Sequence, residues 1–167
     1  MKPFALIVGT VIALSSAQSA LGANYNFGRW QFTSGVGSRG TPYCGMISIV
    51  KNQNVGQNII IKGKAGGLVV DLYRDKWIRR QGDNVRVAFD FIDNEPILLN
   101  TYADGHILEA EIPIAMTAEF MLRLAERPAL QVVFPDDENE GTWVIGGQGA
   151  KAVVEKMTTC TLKLMHR

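Results

Sequence analysis

The chain has 167 residues, 17 of them basic and 16 acidic, a formal net charge of +1, and only two cysteines. That near-neutral balance excludes nucleic acid as a partner, and the length excludes a second sizeable domain. With a leader of 23 residues set aside, 144 remain, carrying 16 basic and 16 acidic side chains, enough to bury one core.

The leader is residues 1–23, MKPFALIVGTVIALSSAQSALGA. Lys2 is its only charge, residues 4–14 are almost wholly apolar, and residues 15–23 are small and polar. These are the three parts of a cleavable export signal in their proper order. The apolar run falls short of the about 20 residues that cross a bilayer, so no transmembrane anchor is expected after cleavage. Cleavage fits after Ser19 or Gly22, and no cysteine is placed for a lipid anchor. The expected compartment is the periplasm or the cell exterior, and residues 24–167 are expected to form a single β-rich domain.

Residues 24–32 hold Tyr25, Phe27, Trp30 and Phe32 and read as a first strand. Residues 35–42 are a Gly and Pro loop. Residues 43–50 alternate as a strand with Cys44, Met46 and Ser48 on one face. A polar turn is expected at 51–57, a short strand at 58–62, a glycine turn at 63–67 and a strand at 68–73. After a turn at 79–84, residues 85–92 alternate cleanly, with Val85, Val87, Phe89 and Phe91 on the apolar side. Further turns at 93–96 and 103–106 frame strands at 97–102 and 107–114.

One helix is expected from Thr117 as N-cap to a stop at Pro128, with Glu119 in its first turn and Phe120, Met121, Leu124 and Ala125 inward. Strands follow at 129–134 and 142–145, separated by an acidic loop. Residues 150–158 read as a short helix with Ala152, Val153 and Val154 inward. So many short strands predict a mostly β domain: an antiparallel sandwich or barrel-like sheet pair with one or two short helices. Trp30, Val87, Phe89, Phe91, Leu124 and Val132 are expected in one core.

Cys44 and Cys160, in an exported chain with no third thiol, are expected to pair. Zinc would need His106 and His166 to join them from distant places. Charge is distributed unevenly. Residues 24–86 hold 10 basic and 3 acidic side chains, and residues 87–167 hold 6 and 13. Interleaved strands, the usual arrangement in a β domain of this size, would mix the two and cancel the dipole.

No complete catalytic motif is present. Residues 146–151 (GGQGAK) lack the spacing and the hydroxyl of a phosphate loop and read as a strand-to-helix turn. Asp136, Glu138 and Glu140 sit at alternate positions before Gly141, like the first half of a calcium loop. The twelfth position is Gly147 rather than Glu, so the group reads as a solvated hairpin tip and no metal or cofactor is expected. Carboxylate pairs such as Asp90 with Asp93, or Glu109 with Glu111, are the material a glycan hydrolase would use. The alternation around Glu109 and Glu111 places them toward solvent. His106 falls in a turn. Arg74, Lys76, Arg79 and Arg80 surround Trp77, a basic-aromatic group suited to anionic glycans or lipid headgroups. The competing arrangement buries Trp77 and lays the arginine stems along it.

Taken together, Trp30 near the start, Cys44-Gly45-Met46, the strand 68–72 (LVVDL), residues 120–124 leading into strand 130–134, and the Ala-rich segment 150–160 ending in cysteine resemble the invasion-associated locus B family of exported bacterial proteins. The resemblance implies a periplasmic or surface β-sandwich linked to host-cell interaction, with no catalytic residues to transfer. The expected function is that of a non-enzymatic envelope protein binding a protein or glycan partner; the alternative is an envelope glycan hydrolase using surface carboxylates.

Overall fold

The computed structural model describes residues 24–37, 40–49, 56–64, 67–92 and 95–165; the leader, Asp93 and His166 lie outside them. The expected first strand is two: β1 (Tyr25–Phe27) and β2 (Trp30–Val36). Gly28, at φ 60°, makes the reversal that sets Phe27 opposite Trp30, a backbone setting glycine adopts without strain. In β3 (Pro42–Ile49), Cys44, Met46 and Ser48 are buried on one face, as their alternation requires. β4 (Gln57–Lys64) starts earlier and ends later than its apolar residues suggest, and Gln57 is buried opposite Arg74 rather than in a turn. β5 (Gly67–Arg74), β6 (Asn84–Asp90), β7 (Ile97–Asp104) and β8 (Ile107–Ile112) follow. β9 (Ala129–Val133) and β10 (Trp143–Gly146) complete the sheet.

These strands form one open antiparallel sheet of ten strands, ordered β1-β2-β3-β4-β5-β8-β7-β6-β9-β10. The expected pair of sheets does not form, because each strand finds its hydrogen-bonding neighbour in this single ladder. The sheet is not closed, but its two ends meet at one corner. There the Arg29 N–H donates to the Gln148 carbonyl at 3.1 Å and the Trp30 Nε1–H to the Gly146 carbonyl at 3.0 Å. The halves of the chain do not interleave either. β1–β5 fill one side of the sheet and β6–β10 the other, meeting at the β5–β8 seam. The charges still mix, because ion pairs cross between halves: Lys62 to Glu109, Arg74 to Glu140, Arg79 to Asp137 and Arg86 to Asp136.

Two helices cover one face. α1 (Ile114–Glu126) begins three residues before the expected cap, with Pro113 at the N-cap position and Thr117 already inside the helix. Proline costs nothing there, since its missing N–H would have had no helical partner. Arg127, extended before Pro128, ends the helix. Phe120 lies edge-on to both Phe89 and Phe91, at 5.6 and 5.4 Å between ring centres. α2 (Ala150–Met165) runs well beyond the expected 158. Val153, Met157, Cys160 and Leu164 continue an apolar stripe at helical spacing and pack on the core. Cys160 is bonded to Cys44, with Cα atoms 5.9 Å apart, fastening α2 to the helix-side face of β3. All six residues expected in one core belong to it. Among the described residues no helix is long and apolar enough to cross a membrane.

Candidate functional site

The basic-aromatic group and the acidic loop, 58 to 66 residues apart in sequence, meet each other. Trp77 is buried, stacked on Trp143 at 5.4 Å and edge-on to Phe134 at 5.9 Å. Glu140 gathers this cluster: it accepts from Trp77 Nε1 at 2.8 Å and from Trp143 Nε1 at 3.0 Å, and it pairs with Arg74. Arg79 reaches Asp137 at 3.0 Å and lies over the Trp77 ring at 5.1 Å. Arg86 takes Asp136 at 2.8 Å. Lys76 and Arg80 remain exposed, as does Glu138. The carboxylates of the calcium-like group are thus turned mainly onto guanidinium and indole donors. Among the described residues no three His, Cys, Asp or Glu side chains converge as metal ligands would. The arrangement clamps the β9–β10 loop over the end of the core.

The glycines at 146–149 serve close backbone approach. Gly149, at φ 87°, is pressed against the Phe27 carbonyl, and a side chain at Gly147 would strike the carbonyls of Arg127 and Pro128. Asp90 accepts from the Ile92 N–H at 2.7 Å. Tyr102 stands opposite both Asn84 and Glu109, and Asp90 lies six residues along β6 from Asn84, which separates Asp90 from Glu109 by about 20 Å. His106 is exposed, 6.2 Å from the Tyr73 ring.

The face of the sheet opposite the helices carries a polar group that the motif reading passed over. In the central strands, register sets Asp71 between Ile60 and Glu109, and Val69 between Lys62 and Glu111. Lys62 reaches diagonally to pair with Asp71 and approaches Glu109 at 3.8 Å. The Asp71 side chain is only 10% exposed, and its Oδ1 has no hydrogen-bond partner. Burial pushes its carboxyl above the usual aspartate range; Lys62 opposes this and Glu109 adds to it.

Beside this group lies a cleft of about 320 Å³ lined by Thr41, Lys64, Gly67, Val69, Glu111 and Ile112. Val69 is buried and makes an apolar floor on this face, while Ile112, paired with Leu68, belongs to the core on the helix side. Gly67, at φ 132° opposite Lys64, leaves that floor open. Among the described residues neither Lys64 nor Glu111 makes an ion pair. The sequence did offer a signal here: Asp71 interrupts an apolar strand, and Lys62 and Lys64 flank a glycine in the next. Further along the open face, Leu98 and Tyr102 project from alternate positions of β7, 57% and 59% exposed.

In comparison with known proteins, the chain matches no family model, no curated protein and no solved structure.

Proposed function

We propose that this chain is an exported, non-enzymatic protein of the bacterial envelope that binds another macromolecule, protein or glycan, through the open face of its sheet. The observation that carries this reading is the placement of both helices on one face. The other is left with exposed Leu98 and Tyr102 on β7, charged Glu109 on β8, and the Lys64–Glu111 cleft. Apolar and aromatic side chains inside a charged surround are the composition of a recognition surface. The disulfide belongs with an oxidising compartment. The resemblance to the invasion-associated locus B family points toward the same compartment and toward contact with host cells.

A two-carboxylate hydrolase is less well supported. Its acid and base stand about 5 to 9.5 Å apart across the scissile bond. Of the two pairs the sequence offers, Asp93 lies outside the described residues, and Glu109 and Glu111, about 7 Å apart on β8, are engaged in part by Lys62, which Glu109 approaches at 3.8 Å. Asp71, directly opposite Glu109, has its free oxygen sealed from any substrate.

Photo-crosslinking in the intact envelope tests the proposal. A crosslinking residue at position 102 is expected to give a discrete adduct, and one at Lys151, exposed on α2, is expected to give none. Identical patterns from both positions, or no adduct from 102, would overturn it. Release of reducing ends from isolated envelope glycan, abolished in Glu109→Gln, would move the assignment to the hydrolase.

A further inference from the structure

We infer that the cleft at the end of β4, β5 and β8 binds a short zwitterionic peptide with an apolar side chain, its carboxylate on Lys64 and its ammonium on Glu111. This gives a ligand chemistry to one end of the open face and rests on the reading of that face as a binding surface. Three features of the cleft select this ligand. Its two charges are of opposite sign and both lack an ion-pair partner among the described residues. Thr41 lines the same cleft as Lys64, and its hydroxyl can add a second donor for a carboxylate. Beside the charges the floor is the buried, apolar Val69, with Ile114, 75% exposed, close to Gly67 at the rim.

Register gives the span. Lys64 and Glu111 lie two strands apart and are offset by two residues, so their backbones are about 12 Å apart. Both side chains are long enough to span part of that distance. What remains suits the termini of two extended residues, about 7 Å; a single amino acid is too short to engage both. The cleft volume sits at the low end for small-molecule sites, which agrees with a dipeptide rather than a longer chain. Gly67 is needed for this geometry, since its positive φ strains any side chain and a side chain would stand opposite Lys64.

The test is an amide-resolved NMR titration of the exported chain at neutral pH with leucyl-leucine, following Val69, Glu111 and Ile112 against Thr101 and Val132. Saturable shifts confined to the first group are expected, with a dissociation constant on the order of 0.1 to 1 mM. N-acetyl-leucyl-leucine and leucyl-leucinamide, each lacking one terminal charge, are expected to bind about tenfold more weakly. Glu111→Gln should erase the preference for a free amine, and Lys64→Gln the preference for a free carboxylate; both positions lie on the open face, outside the core. Absence of saturable shifts at the cleft would overturn the inference, as would equal affinity for the charge-blocked peptides. Crosslinking from position 102 is read separately, so a failed titration with intact crosslinking removes the peptide site and leaves the open-face reading standing.

Discussion

Glu140 and Asp71 are both buried carboxylates in a β domain, and their surroundings differ sharply. Glu140, its side chain 6% exposed, has a guanidinium and two indole N–H groups on its two oxygens. Asp71, 10% exposed, has Lys62 on one oxygen and nothing on the other. A buried carboxylate with both oxygens engaged fixes its surroundings, whereas one left half-engaged costs stability relative to an apolar core. Around Glu140 the gap falls on the Arg74 and Arg79 Nε atoms, which have no hydrogen-bond partner among the described residues. Glu140 therefore reads as part of the scaffold, tying the β9–β10 loop and the Trp77–Trp143 stack to β5. Asp71 ties β5 to β4 only through its pair with Lys62 and leaves its other oxygen without a partner among the described residues. It lies beside the cleft whose charges are unpaired.

The largest expected effect is at the satisfied cluster. Glu140→Ala leaves Arg74 buried without its counter-charge and strips two indoles of their acceptor, so a loss of about 3 to 5 kcal/mol is expected. Urea denaturation at neutral pH measures it. Next is the staple joining α2 to β3. Reducing Cys44–Cys160 is expected to cost about 2 to 4 kcal/mol while leaving the sheet's circular dichroism in place, because the core does not depend on the bond. Alkylation of the unfolded chain, with no label before reductant and two labels after, checks that the bond is present.

Asp71→Asn is expected to change stability at neutral pH by no more than about 1 kcal/mol in either direction. Its signature is in the pH profile. The folded carboxyl holds its proton more tightly than the unfolded one, so wild-type stability from this group is full below about pH 4 and is lost as pH rises through the raised folded value. Asp71→Asn should remove that downward slope; a denaturation series across acidic and neutral pH shows whether it does. Smallest of all, Glu111→Gln is expected to shift stability by no more than about 0.5 kcal/mol while weakening dipeptide binding, which separates the cleft from the scaffold.

Much of the fold was legible in local pattern. The alternation around Cys44, Met46 and Ser48, and around Val87, Phe89 and Phe91, correctly assigned their buried faces. Alternation tells which way a residue points, not which strand lies next to it. The single sheet and the β5–β8 seam between residues 34 to 44 apart were therefore beyond local reading. The run from Ile107 to Ile114 alternates well enough to hide the helix start at Ile114, where Pro113 was the available signal. The helix expected at 150–158 stops short, because the apolar stripe through Cys160 and Leu164 carries α2 on to Met165. The two polar clusters differ in the same way. Arg74 and Arg79 could be grouped with Trp77 from their proximity in sequence, but their partners Glu140 and Asp137 lie 66 and 58 residues away. Asp71 and Lys62 looked like ordinary strand residues until register placed them on adjacent strands facing away from the helices.

The most direct measurement of the contrast between scaffold and site is the pair of urea midpoints for Glu140→Gln and Asp71→Asn at neutral pH. Each removes one negative charge and keeps nearly the same shape. Glu140→Gln is expected to lower the midpoint strongly, because Arg74 loses its ion-pair partner, and Asp71→Asn to leave it nearly unchanged or raise it. Equal losses from the two variants, or a larger loss from Asp71→Asn, would contradict it and place Asp71 in the scaffold after all.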